Sequence, residues 1–210
     1  MPKNLAVLAE REKLESTSCI LFRFEDRTRH MQMISSLLES EHRDLKRRKL
    51  NEVIKYCIIP KCKKLQLVHY FSEDYKDPCC NMCDVCLGTC NMEPQNASTE
   101  ALGVLSCLNN IRIVQNKVTL NLLMLVYRGS KRKEVVSKSL HEVPEFGHGK
   151  SAFSQSELKQ FIYMLIAEDV ILEELRGPNE IGSHPYLWCG SKAGMISQGE
   201  LLINRCKYVK

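Results

Sequence analysis

The sequence predicts a mainly α chain with a small β component: a helical module built on a cysteine cluster, then a helix-rich domain that closes on a hairpin. Three observations carry that expectation. Cysteines crowd into Cys79-Cys80-Asn81-Met82-Cys83-Asp84-Val85-Cys86, behind a single upstream Cys62. Apolar residues recur at helical spacing through much of the rest. Two strand-like runs, 170–175 and 186–189, flank the turn-rich segment 176–182. Helices followed by such a hairpin suggest a winged helix.

The bulk composition narrows the class. With 210 residues the chain has room for one large or two small domains. Its 44% hydrophobic and 26% charged residues are ordinary for a globular protein. No apolar run approaches the ~20 residues needed to span a bilayer. Met1-Pro2-Lys3-Asn4-Leu5 soon meets Glu10, Arg11, Glu12 and Lys13, which leaves no apolar core for a secretory signal. The expectation is an intracellular protein, where clustered cysteines are metal ligands rather than disulfides. Of the 11 cysteines, Cys19, Cys107, Cys189 and Cys206 stand apart and read as core or surface thiols. The net charge of +5 is a mild bias toward polyanions.

Taken in order, residues 1–17 are polar and helix-prone. Residues 18–24, Ser-Cys-Ile-Leu-Phe-Arg-Phe, read as a strand. Residues 28–59 read as helices, with Met31, Ile34, Leu37 and Leu38 at helical spacing, then Leu50, Val53, Ile54 and Cys57. The stretch 39–49 between them carries Arg43, Lys46, Arg47, Arg48 and Lys49. That run suits a solvated helix surface, a nuclear import signal or a phosphate-binding face. Residues 60–90 hold the cysteines, and 91–98 have linker composition. A helix is expected over 100–113, with Leu102, Leu105, Leu108 and Ile111 on one side. Leu120 to Arg128 reads as a short apolar helix stopped by Gly129. Ser154-Gln155-Ser156-Glu157 is a capping box that opens a helix with the stripe Leu158, Phe161, Ile162, Leu165, Ile166.

The cysteine spacing has a chemical reading. Zinc takes about four soft ligands in a tetrahedron, and cysteines two or three apart grip it from one tight turn. Cys83 and Cys86 form one C-x-x-C, and Cys80 with Cys83 forms another. Cys62 is expected to close the site from a helix, with Leu65, Leu67, Val68, Tyr70 and Phe71 packing beside it. The regular spacing favours Cys80, with Cys79 the alternative ligand; Cys57 and Cys90 are spare thiols nearby. Four thiolates leave no open position for catalysis, so the Zn²⁺ would be structural. An iron–sulfur cluster is the other four-cysteine option.

Cys62-Lys63-Lys64, His69-Tyr70-Phe71-Ser72-Glu73 and Cys83-Asp84-Val85-Cys86 together resemble the zinc-binding region of RecQ-family DNA helicases. The chain departs from that pattern at Ser72, where the family has glycine, and in the doubled Cys79-Cys80. Ser18 to Phe22 resembles the last strand of the second RecA-like motor lobe. Leu125 to Lys131, Phe146 to Ser154 and Leu187 to Ala193 resemble the family's winged-helix (RQC) domain. The details are similar to those of the Bloom-syndrome-type branch, and the resemblance covers residues 18 to 200. It implies a remnant motor lobe over 1–27, a helical zinc-binding domain over 28–92, a winged-helix domain over 99–196 and a tail over 197–210. No P-loop, DEAH-type box or arginine finger is present. Gly149-Lys150-Ser151 mimics the end of a P-loop, but Pro144 stands where its first glycine belongs. The chain therefore resembles part of a RecQ protein, without a motor or catalytic residues of its own.

The resemblance implies a nuclear protein in DNA repair, recombination and replication, binding duplex ends, forks or junctions independently of sequence. The candidate phosphate contacts lie in two basic loops: Arg128, Ser130, Lys131 and Arg132, with Lys133 beside them, and Lys150 with Ser151 ahead of the capped helix. At the hairpin tip, Asn179 and Ile181 are candidate DNA contacts, although the family's aromatic tip residue is missing. Tyr186 and Trp188 read as sheet-face residues rather than base-stacking ones. Two alternatives stand: a portion of a complete ATP-dependent helicase, or an adaptor that binds a helicase motor or repair proteins. No membrane is expected as a partner.

Overall fold

The computed structural model describes residues 17–37, 40–59, 61–88, 92–176 and 184–208. Helices α1 (Phe24–Ser35) and α2 (Ser40–Ile58) pack against each other, and α3 (Lys63–Tyr70) leads into the cysteine turns. There follow β1 (Met92–Asn96), α4 (Ser98–Val114), α5 (Leu120–Tyr127), α6 (Lys133–Val136), a 3₁₀ turn (Leu140–Glu142), α7 (Gly149–Ala152) and α8 (Gln155–Ala167). The chain ends in β2 (Ile171–Arg176), β3 (His184–Cys189), α9 (Ala193–Ser197) and β4 (Asn204–Tyr208). The protein is mainly α with a small β component, a helical cysteine module followed by a winged helix.

The winged-helix half holds the core. Its stripe on α8, Leu158, Phe161, Ile162, Leu165 and Ile166, is fully buried as the periodicity predicts. It meets Leu122, Leu123 and Val126 of α5 and Val104, Leu108 and Ile111 of α4 in one cluster. The capping box forms as read: the Ser154 hydroxyl accepts from the Glu157 amide, and Glu157 accepts from the Ser154 amide at 2.7 Å. Strands β2 and β3 pair antiparallel, with Ile171 opposite Cys189 and Glu173 opposite Leu187. Leu187 also donates its amide to the Val118 carbonyl at 2.8 Å, which stitches the hairpin to the α4–α5 connection.

Three expectations are corrected. Residues 17–23 form no strand; Ile20 and Leu21 are exposed and helix begins at Phe24. A strand needs a neighbouring ladder, and none of the described strands pairs with this run. Leu102 is exposed, because the buried face of α4 is Ala101, Val104, Leu105, Leu108 and Ile111, about one residue's rotation away. The segment read as linker is instead β1, paired antiparallel with β4 from Met92↔Tyr208 to Asn96↔Asn204. Pro94 is compatible with strand there because this sheet has two strands, both of them edges.

The half before residue 88 is built differently. Among its described residues only Met31, Ile54 and Cys62 are buried hydrophobics, with Arg27 also buried. Leu37 and Val53, expected on apolar faces, are exposed, and Leu38 lies outside the described residues. So small an interior cannot fold a domain alone. What holds this half together is the packing of α1 on α2 and β2, the packing of α2 on α8, and the cysteine cluster.

Candidate metal centre and nucleic-acid interface

Cys62 occupies the N-cap of α3, and Cys80, Cys83 and Cys86 line the turns that follow. The four sulfurs lie within 4.8 Å of one another. A tetrahedral zinc with Zn–S near 2.3 Å has sulfur–sulfur edges of about 3.8 Å, and Cys80 Sγ stands 3.9 Å from Cys86 Sγ. Cys79 Sγ points instead to Asn81 Oδ1, at 2.9 Å. Backbone amides address the cluster: Lys63 N–H donates to Cys83 Sγ at 3.4 Å and Cys83 N–H to Cys80 Sγ at 3.3 Å. Such donors favour the thiolate.

The sulfurs ionise as a set. Burial raises the Cys62 thiol, but the Leu65 amide and the Cys80 and Cys86 thiols outweigh it and leave it below its ordinary value. The Met82 amide leads in lowering Cys80, and the Lys63 amide helps to lower Cys83 against its desolvation. Cys86 is pushed up to about 12 by desolvation, with Cys83 and Cys62 adding to the rise. Crowded thiolates repel, and a divalent cation removes that penalty. Donor type, spacing and charge all fit structural zinc.

The scaffold around the cluster is specific. Lys63 Nζ donates to the Tyr56 carbonyl and, at 3.2 Å, to the Ile59 carbonyl, closing the end of α2. Helix α3 ends in a Schellman motif: Ser72 N–H donates to the His69 carbonyl at 3.1 Å and Glu73 N–H to the Val68 carbonyl at 3.0 Å. Ser72, the residue that departs from the family's glycine, holds the left-handed conformation this motif demands, at φ 57°. Leu65 and Val68, expected to pack beside the site, are half-buried. Leu67, Tyr70 and Phe71, expected there too, are exposed, because an eight-residue helix on a small module has one supported face.

The two basic loops, separate in sequence, are brought together. Helix α5 ends in a second Schellman motif, with Gly129 N–H to the Val126 carbonyl at 2.9 Å and Ser130 N–H to the Leu125 carbonyl at 2.8 Å. Gly129 sits at φ 70° against Gly147, so closely that a Cβ on Gly129 would lie 2.9 Å from Gly147 Cα. Gly147 in turn donates its amide to the Val126 carbonyl at 3.1 Å. Lys131, Arg132, Lys150 and Ser151 are exposed around this junction, whereas Arg128 and Ser130 are partly buried. Asn179 and Ile181 lie outside the described residues. Tyr186 and Trp188 are partly exposed on the hairpin face opposite buried Leu187, and Arg112 stacks over Trp188 at 4.6 Å.

Sequence reasoning missed the groups that hold these loops. Buried Glu145 accepts from Ser106 at 2.5 Å and from Asn110 at 3.0 and 2.9 Å, tying the second loop to α4. Desolvation raises this carboxyl, but those two donors prevail and hold it below the ordinary range. Arg205, read as tail, donates to the Ala152 carbonyl at 3.1 Å and stacks over Phe153 at 4.5 Å. Neither residue has a local signal, since each depends on a partner far along the chain.

Comparison with known families agrees with this architecture. The RecQ zinc-binding family matches residues 24–87, and the RQC domain family matches residues 91–210, more than half of the chain. The chain belongs to the RecQ family. This RecQ-family chain is 29% identical to the ATP-dependent DNA helicase RecQ of Bacillus subtilis over 96% of its own length and 32% of that protein's. It is 26% identical to the ATP-dependent helicase SGS1 of Saccharomyces cerevisiae, over 79% of its length and 12% of that protein's. It is also 26% identical to the RecQ-like DNA helicase blm-1 of Caenorhabditis elegans, over 82% of its length and 18% of that protein's. The chain thus spans about a third or less of these relatives.

Proposed function

We propose that this chain is a zinc-stapled DNA-binding region of a RecQ-type 3′–5′ helicase that engages duplex ends, forks or junctions through phosphate contacts. The observation that carries the reading is the Gly129–Gly147 junction, which merges two basic loops into one cationic surface beside the N-terminus of α8. Lys131, Arg132, Lys150 and Ser151 contact phosphates directly, while Arg128 and Ser130 support them from the loop base. Asn179 and Ile181, outside the described residues, belong to this reading as DNA-contact candidates from the sequence alone. Cys62, Cys80, Cys83 and Cys86 hold the zinc, with Cys79 outside the set. Such contacts are independent of sequence and weaken steeply with salt. A nuclear role in repair, recombination and replication belongs to the same reading, supported by the exposed Lys46, Arg48 and Lys49 on α2 as an import signal. The relatives' ATP-dependent helicase activity would come from a motor in a longer chain or in trans.

Fluorescence anisotropy of the zinc-loaded protein on a forked duplex, across a salt series, tests this. Each phosphate neutralised contributes about 0.9 to the slope of log affinity against log salt. Lys131→Ala/Arg132→Ala is expected to weaken binding and flatten that slope by about 2. No binding at low salt by folded, zinc-loaded protein defeats the reading. One observation favours a second role, in protein docking. Leu67, Tyr70, Phe71, Met82 and Leu87 leave a strongly exposed apolar set on the cysteine module. Helicase motor capture that is lost in Tyr70→Ala/Phe71→Ala, with DNA affinity intact, would establish it.

A further inference from the structure

Arg27 and Glu173 form an ion pair with side chains only 3% and 2% exposed. Arg27 lies on α1, in the cysteine module; Glu173 lies on β2, in the hairpin, opposite fully buried Leu187. Phe24, also on α1, stacks on Tyr163 of α8 with centroids 4.4 Å apart and planes 5° from parallel. Burial pushes the Arg27 guanidinium down to about 10, a measure of how thoroughly water is removed from it. A second pair, Lys55–Glu168 at 3.3 Å, joins α2 to the C-cap of α8 but is more than a quarter exposed at both ends.

These two pairs differ in kind. A partly exposed pair contributes little, because water replaces each partner when it opens. A buried pair behaves otherwise: losing one partner while the other stays buried leaves an uncompensated charge away from water, so each element keeps its place only while the other supplies the counter-charge. The route to the cysteines is short. Lys63, whose amide donates to Cys83 Sγ, closes the end of α2 through the Tyr56 and Ile59 carbonyls, and α2 packs on α1. The module has almost no apolar interior of its own, so loss of order at the cysteines reaches α1 with little to resist it.

We propose that the buried Arg27–Glu173 pair couples the hairpin to the metal centre, so that zinc occupancy sets how firmly the winged helix holds its β2–β3 hairpin. Arg27 and Glu173 are then positioning residues for the hairpin. The inference rests on the proposed zinc site and not on the DNA reading. Hydrogen exchange resolves it, measured on the full chain with and without chelator, with zinc content quantified in each sample. In the parent protein, zinc removal is expected to speed exchange of the β2 and β3 amides by about 10-fold or more, while α4 and α5 stay protected. In Arg27→Met, and in the isosteric Glu173→Gln should the first fail to fold, hairpin exchange is expected to be already fast and no longer to respond to zinc. Lys55→Met is expected to keep the response. Hairpin exchange that ignores zinc in a parent protein shown to bind it would overturn the coupling. So would a full zinc response surviving in folded Glu173→Gln. A chain that binds no zinc at all overturns the coupling together with the metal site beneath it.

Discussion

Replacing Gly129 by alanine separates the two physical demands that meet at the loop junction. The first is conformational: at φ 70° a Cβ crowds the backbone, at a cost of about 1–2 kcal/mol. The second is steric, since the new Cβ lies 2.9 Å from Gly147 Cα and 3.5 Å from Gly147 N. Backbone atoms cannot rotate aside as a flexible side chain would. Overpacking of this kind adds about 1–3 kcal/mol. Gly199 supplies the control, with φ 75° and nothing within 4 Å of where an alanine methyl would stand. Gly199→Ala should therefore cost only the conformational part, and Gly129→Ala about 1–3 kcal/mol more. Thermal melts read the difference, at roughly 2–4 °C per kcal/mol for a chain of this size. Below the melting range, Gly129→Ala should also weaken forked-duplex binding by spreading Lys131 and Arg132 from Lys150, while Gly199→Ala should not. Equal melting shifts for the two variants would refute the steric argument, and unchanged DNA affinity in folded Gly129→Ala would refute the joined-loop surface.

Three further outcomes are expected. Cys80→Ser should lower bound zinc well below one per chain whereas Cys79→Ser should leave it at one, because only Cys80 Sγ lies among the four clustered sulfurs; elemental analysis decides. Ser72→Gly should stabilise the cysteine module by about 0.5–1 kcal/mol in denaturant titrations, the left-handed penalty for serine less glycine's greater chain entropy. Glu145 has a folded pKa held below its unfolded value, so its contribution is present above about pH 4.3 and is lost as pH falls through the folded pKa. Acid titration of the winged helix should show that component in the parent protein and not in Glu145→Gln.

Much of the winged helix was legible because its signals are local. A capping box at Ser154–Glu157, a glycine just past α5 and a buried stripe on α8 each depend on residues within two turns of one another. The zinc module was legible for a related reason, as four thiols at tight-turn spacing match the ligand pattern of a tetrahedral metal. Expectations drifted wherever the partner was distant. The run 18–24 has strand composition, yet it pairs with no described strand; Met92–Asn96 reads as linker, yet it pairs with residues more than a hundred positions on. Strand composition reports fitness for a sheet, and only the neighbour decides whether there is one.

By itself, then, the sequence determined the longer helices, the hairpin and a four-cysteine zinc chemistry, because periodicity, capping and ligand spacing are properties of neighbouring residues, while the family entered through the resemblance its motifs carry. The structure gathers Cys80, the residue the regular spacing favoured, into the cluster, but only the tertiary structure set Gly129 against Gly147, tied the loops down through Glu145 and Arg205, and buried Arg27 against Glu173. Each of those depends on where a side chain or backbone arrives in space, which chain spacing leaves open and packing fixes.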